Sequence, residues 1–273
     1  MPATQREKAT QFRALHESGT FIIPNPWDGA SARMLEKLGF QALATSSGAQ
    51  AATFGRRDGR VSRDEALAHA AGIVRVTELP VSADLEKGFG DAPADAADTI
   101  RMAAEVGLVG GSIEDATGLK ETPLYDIDAA TARVAAAVEA ARRLDFPFTL
   151  TARTESFVRG LIDLDDVIRR LQAFEKAGAD VLMAPGLPDL ASVRAVCSAV
   201  SKPVNFMAGI PHRSFSVAEL SEAGVRRVST ATSLYRAAFG GFLAAAQELA
   251  EHGTFGYVET MTGGAEMASA LQP

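Results

Sequence analysis

Cysteine is almost absent. The single one, Cys197, has no partner in the chain, so no intramolecular disulfide is available. Its surroundings, Leu190-Ala-Ser-Val-Arg-Ala-Val-Cys-Ser-Ala-Val200, read as a buried thiol on a helix. No stretch of about eighteen consecutive apolar residues occurs, and the start, Met1-Pro-Ala-Thr-Gln-Arg-Glu-Lys8, has no apolar segment of the signal-peptide kind. A cytoplasmic protein without a membrane span is expected. Positive charge is in deficit, with 27 Lys and Arg against 34 Asp and Glu and a net charge of −7, which argues against nucleic acid as partner and favours a small molecule. The four histidines, His16, His69, His212 and His252, fall in no metal-ligand spacing, which counts against zinc. Lysine is missing where Schiff-base chemistry would need it: Lys8, Lys37 and Lys176 lie in helical patterns and Lys202 precedes a strand, leaving Lys87 and Lys120. No glycine-rich phosphate cradle follows the last strand, where Ser229-Thr-Ala-Thr-Ser-Leu-Tyr235 stands, and no dinucleotide fingerprint occurs.

What the chain has is apolar material and a regular alternation. Of its 273 residues 47% are apolar, enough for one continuous core, so a single domain spanning 1–273 is expected, with 251–273 as a C-terminal tail. Short apolar runs alternate with longer helical patterns. The expected strands are Phe21 to Asn25, Ala42 to Ser46, Val81 to Asp84, Gly111 to Glu114, Phe148 to Arg153, Val181 to Ala184, Val204 to Met207 and Arg227 to Thr230. Eight such runs point to an α/β protein of the (β/α)8 TIM barrel class, its strands covered on both faces. Ser62-Arg-Asp-Glu65 reads as a capping box, and Gly39, Gly107, Gly178 and Gly224 each stand where a helix must stop and feed a strand. An N-terminal helix, Gln5 to Glu17, and a long last helix, Leu234 to Ala250, are expected outside the barrel. The last is apolar on more than one face around Phe242, which suits a subunit contact.

In such a barrel the chemistry sits where the strands end. Acids gather there: Asp84-Leu-Glu86 after strand 3, Glu114-Asp115 after strand 4 and Arg56-Arg-Asp58 after strand 2. Strand alternation would turn Asp84 and Glu86 the same way, with Glu114 delivered beside them. Carboxylates so close require a bound cation or a shared proton, and oxygen donors select Mg²⁺ or Mn²⁺; any one of them alone could be a helix N-cap. Ser47, Gly48 and Ala49 could offer backbone N–H groups to a carboxylate or oxyanion. Arg153, with Glu155 beside it, offers either a fork for a second acidic group or a structural salt bridge to Glu155 or Glu114.

These residues, in order, resemble the isocitrate lyase and phosphoenolpyruvate mutase superfamily: Asn25-Pro-Trp-Asp-Gly-Ala-Ser-Ala-Arg33, Ser47-Gly48, Gly55-Arg-Arg-Asp58, Asp84-Leu-Glu-Lys-Gly-Phe-Gly90, Ser112-Ile-Glu-Asp115, Ala152-Arg-Thr-Glu155 and Gly178-Ala-Asp180. The resemblance implies a Mg²⁺-dependent barrel, a homodimer or homotetramer exchanging its last helix, that acts on 2-oxo acids through an enolate. It implies Asp84 as principal metal ligand, with Asp58, Glu86 and Glu114 holding the metal through waters, Ser47, Gly48 and Ala49 at the 2-oxo-carboxylate end and Arg153 at the remaining anionic group. The lyase branches carry a cysteine in a Lys-Lys/Arg-Cys-Gly-His loop after strand 4. Here that stretch reads Glu114-Asp-Ala-Thr-Gly-Leu-Lys-Glu-Thr-Pro-Leu-Tyr125, without the thiol; Lys120 could match a gating-loop lysine of the phosphonomutases, but Thr122 and Ala184 replace their Asn and His.

The expected activity is a Mg-dependent carbon–carbon lyase acting on a small 2-oxo acid or 2-hydroxy di- or tricarboxylate, methylisocitrate lyase-like or oxaloacetate decarboxylase-like. Asp58, Lys120 and Arg153 are its catalytic candidates, and Ser47, Gly48, Ala49, Arg153 and Glu155 its substrate contacts. Cleavage of a C–P bond, as phosphonomutase or phosphonopyruvate hydrolase, and 2-oxo-acid binding without turnover are the alternatives.

Overall fold

A computed structural model describes residues 2–272. Eight strands run parallel: β1 (Phe21–Ile23), β2 (Leu43–Ala44), β3 (Val81–Asp84), β4 (Gly110–Glu114), β5 (Thr149–Arg153), β6 (Val181–Met183), β7 (Val204–Met207) and β8 (Arg227–Ser229). Each lies within two residues of its expected bounds. The hydrogen-bonded order is β1-β8-β7-β6-β5-β4-β3-β2. The remaining seam, between β1 and β2, is joined by Ala44 N–H donating to the Pro24 carbonyl at 3.1 Å and Asn25 Nδ2 donating to the Thr45 carbonyl at 2.9 Å, so the sheet is a closed (β/α)8 barrel.

The covering helices are α2 (Gly29–Lys37), α4 (Arg63–Val74), α5 (Pro93–Glu105), α6 (Ile127–Arg142), α7 (Leu164–Lys176), α8 (Leu190–Ala199) and α9 (Val217–Glu222); α1 (Gln5–Ala14) precedes the barrel, α3 (Ser47–Thr53) follows β2, and α10 (Ser233–His252) and α11 (Gly264–Leu271) close the chain. Their ends follow the sequence signals. Ser62 accepts from Glu65 N–H while Glu65 reaches back to Ser62, and Gly39, Gly107, Gly178 and Gly224 take φ of 86°, 94°, 100° and 97°. Apolar side chains between strands and helices make the core, one part around Leu43, Ile100 and Phe148, another around Leu171, Phe174 and Leu182.

Three expectations change. The N-terminal helix ends at Ala14 and is no mere addition: Phe12 and His16, both buried, close the N-terminal mouth of the barrel against Phe21 and Val109. The residues after β2, expected as loop, form α3, because Ser46 caps it by accepting from Ala49 N–H. The tail contains α11, which returns to lie against α2. The long last helix, α10, does form, and Tyr235 is its only buried residue. No helix among the described residues is long and apolar enough to cross a membrane.

Candidate active site

A cavity of about 320 Å³ opens at the C-terminal ends of the strands. Asp84 closes β3 and Arg153 closes β5, and both face it. The register brings Glu114, the last residue of β4, directly beside Arg153. Arg153 Nη1 lies 3.5 Å from Asp84 Oδ2, and its Nε lies 3.6 Å from Glu114 Oε2 and 2.5 Å from Glu155 Oε1. One guanidinium thus ties together three carboxylates from three strand ends. Burial opposes its charge, but Glu155, Glu114 and Asp84 outweigh that and hold its pKa above the usual arginine value. The salt-bridge alternative for Arg153 is therefore what the side chains adopt.

The acids around it are crowded. Burial, then repulsion from Asp84 and Asp58, pushes the Glu86 carboxyl up to about 7. Burial and the neighbouring Asp84 raise Asp58, against hydrogen bonds from Ser47 and the Gly59 amide. Glu114 is raised well above the ordinary range, chiefly by burial, with Glu155 and Asp84 adding to it and Arg153 opposing. Glu86 sits beyond the end of β3 with φ of 48°, so strand alternation does not aim it as expected; it lines an adjoining cavity with Asp58 and Glu114. A non-glycine residue held in the left-handed region is strained, and such strain collects at functional sites.

Ser47 Oγ donates to Asp84 Oδ2 at 2.9 Å, which fixes that carboxylate from the side of β2. Gly48 is forced by space: a Cβ there would stand 3.0 Å from Thr232 Cγ2 and 3.3 Å from Asp58 Oδ2. Both line the cavity, whereas Ala49 is fully buried behind it with its N–H directed to Ser46 Oγ. Lys120 is exposed and lines neither cavity; the stretch that does overhang the site is Ala116 to Leu119. Asp115 faces the other way, 2% exposed, pairing with Arg170 at 3.2 Å and accepting the Glu155 amide at 2.8 Å. Among the described residues no three His, Cys, Asp or Glu side chains converge closely enough to hold a cation as they stand, because the strand-end acids turn toward Arg153.

Two further arginines line the cavity. Arg159, in a single turn after β5, reaches Glu155 at 3.5 Å and Glu114 at 3.8 Å and lines both cavities. Its place in Ala152-Arg-Thr-Glu-Ser-Phe-Val-Arg159 would have shown it, one helical turn beyond Glu155. Arg227 lies at the cavity floor, where no local motif marks it.

The sequence profile of the family described as phosphoenolpyruvate phosphomutase matches residues 12–250. The chain belongs to this family. The phosphoenolpyruvate phosphomutase relatives include oxaloacetate decarboxylase of Ectopseudomonas mendocina, 32% identical over 87% of this chain and 84% of that protein. A solved structure from Burkholderia cenocepacia J2315, assigned as a lyase/mutase, is 52% identical, covers 97% of this chain and 96% of its own, and superposes with a TM-score of 0.95. That of 2,3-dimethylmalate lyase, of the same superfamily, is 27% identical over 97% and 95% of the two chains, with a TM-score of 0.87. This member of the phosphoenolpyruvate phosphomutase family is accordingly an enzyme of the lyase and mutase kind.

Proposed function

We propose that this enzyme is a Mg²⁺- or Mn²⁺-dependent lyase that breaks a carbon–carbon bond of a small 2-oxo acid or a 2-hydroxy di- or tricarboxylate. The observation that carries the reading is the gathering of Asp58, Asp84, Glu86 and Glu114 around two adjoining cavities at the strand ends, with Asp58 lining both and the carboxyls of Asp58, Glu86 and Glu114 raised. Four all-oxygen donors that repel one another suit a hard divalent ion, and no thiol or imidazole competes for it there. Asp84 would be the principal ligand, with Asp58, Glu86 and Glu114 around it. The ion would act as a Lewis acid toward the negative charge that builds on the substrate oxygen as the bond breaks.

The chain's own residues do the rest. Arg153 keeps three acids in place and turns its positive charge to the mouth of the cavity, toward the near end of an acidic substrate. Ser47 and Gly48 approach the 2-oxo-carboxylate end from β2, where glycine leaves the backbone open. Glu155, which lines both cavities, would act through the Arg153 and Arg159 guanidiniums it pairs with. Lys120 and Ala49, exposed and buried respectively, reach the substrate only through movement of the 116–125 loop or through backbone atoms. The oxaloacetate decarboxylase and 2,3-dimethylmalate lyase relatives support carboxylate substrates of this size.

The test is a thermal-shift screen with Mg²⁺ and a panel of 2-oxo acids, phosphonopyruvate and methylisocitrate, repeated on Asp84→Ala, followed by turnover assays. Stabilisation that needs Mg²⁺ and disappears in the variant is expected; a Mg²⁺-independent response to every compound would sink the reading. Release of phosphate from phosphonopyruvate would move the assignment to C–P chemistry.

The same reading includes a homodimer or homotetramer in which α10 is exchanged. On α10, Phe239, Phe242 and Leu243 are 46%, 66% and 55% exposed, on the helix that follows the last strand and should cover it. Such an apolar surface suits burial against a second copy.

A further inference from the structure

The cavity does not end at the acids. It continues down the barrel lumen between the small or polar side chains of Ala44, Ser82, Ser112, Asn205 and Ser229, and its floor is Arg227. Arg227 is 5% exposed, and its contacts are all with neutral groups: Nε donates to Asn205 Oδ1 at 2.9 Å, Nη2 to Thr151 Oγ1 at 2.8 Å, and Nη1 to His16 Nε2 at 3.3 Å. His16 is kept neutral, its pKa pressed down to about 3 by burial and by Arg227 itself. No carboxylate among the described residues lies within 4 Å of Arg227, whereas Arg153 has three.

A guanidinium carries five N–H donors, and three acceptors leave two unanswered. A buried charge without a counter-charge is costly, and an open space beside it invites an anion. Thr151, which Arg227 touches, stands two residues below Arg153 on β5, about 6.6 Å of strand. An acid anchored at the mouth by one carboxylate could therefore place a second one at the floor.

We propose that Arg227 and Asn205 form an anion subsite at the floor of the barrel lumen that takes the far carboxylate of a dicarboxylic 2-oxo or 2-hydroxy acid. This rests on the mouth binding the near, oxo-bearing end, as proposed above. The small side chains of Ser82, Ser112 and Ser229 are then the channel that lets the carbon chain pass, and Arg227 selects for chain length and for a second negative charge.

The test uses the full chain with Mg²⁺ and compares the dissociation constants of pyruvate, oxaloacetate, 2-oxoglutarate and 2-oxoadipate. At least one dicarboxylate is expected to bind better than pyruvate, and Arg227→Met to weaken it about tenfold to a hundredfold while pyruvate stays the same. Ser112→Val, which narrows the lumen and leaves the contacts of Arg227 intact, is expected to give the same selective loss; it carries the test should Arg227→Met not fold. Mg²⁺-dependent pyruvate binding without a dicarboxylate preference sensitive to either variant would overturn the subsite and leave the mouth reading standing. A preference sensitive to both variants but indifferent to Mg²⁺ would support the subsite and overturn the metal reading, and no binding of any compound would overturn both.

Discussion

Arg227 and His16 meet across the floor of the barrel, Nη1 3.3 Å from Nε2, although 211 positions separate them in the chain. Because Arg227 donates to Nε2, and Nδ1 lies 2.8 Å from the Phe12 carbonyl, the proton of the neutral ring must sit on Nδ1. The contact joins α1 to β8 and requires an uncharged imidazole.

That requirement makes the floor sensitive to acid. The pKa of His16 is lowered from 6.5 to about 3, so the stability it lends is full above 6.5 and drains away as pH falls toward 3. Chemical denaturation between pH 6 and pH 4 should show wild type losing about 1.4 kcal/mol per pH unit more than His16→Gln, one proton being taken up on unfolding. Parallel curves for the two proteins would refute the assignment.

Gly110→Ala tests the same closure sterically. A Cβ at Gly110 would lie 2.8 Å from the Phe12 ring and 2.9 Å from the Thr149 carbonyl oxygen, and the carbonyl belongs to the β4–β5 ladder and cannot step aside. A loss of about 1–3 kcal/mol is expected in a denaturant titration, with α1 released first and protease cleavage appearing near residues 14–20.

Asp115→Ala should act through packing. It leaves Arg170, whose side chain is 11% exposed, without its inner partner and the Glu155 amide without an acceptor. A stability loss of about 3 kcal/mol is expected, with reduced kcat/KM because Glu155 no longer holds Arg153 and Arg159 in register. Unchanged kcat/KM in a destabilised protein would separate the two effects and remove Asp115 from the positioning of Glu155.

Glu86→Gly should trade function for stability. Glycine accepts φ of 48° without a side-chain clash, and the substitution removes one of the crowded acids. In the presence of a chelator its melting temperature should rise, by an amount corresponding to about 1 kcal/mol. Under the metal reading its Mg²⁺-dependent stabilisation should shrink; a melting temperature below wild type would show that Glu86 is not strained.

Phe242→Lys places a charge on the exposed apolar side of α10. If two copies bury that side, light scattering after size exclusion should show a smaller particle than wild type while the barrel's circular dichroism stays the same. An unchanged mass would count against the exchanged-helix assembly.

The strands were legible because a covered parallel sheet writes itself as short apolar runs between helical patterns, and the glycines at 39, 107, 178 and 224 marked the joints by their backbone conformation. The acids at the mouth were legible for a related reason: once a strand end is located, Asp84, Glu114 and Arg153 follow from their place in it. Glu86 reaches the mouth through its left-handed backbone beyond the end of β3, not through strand alternation. Lys120 stands exposed on a loop, and loop conformation has no period from which to read where a side chain points.

Local order thus determined the barrel, its strand ends and the acids they carry, because helix caps, glycine stops and apolar periodicity act over a few residues. Only the closed barrel decided which charges meet. Arg153 gathers acids from β3 and β4, His16 comes under Arg227, and the lumen stays open where Ala44, Ser82, Ser112 and Ser229 from separate strands line it with small side chains. Strand stagger and closure set those encounters, and they are properties of eight strands at once.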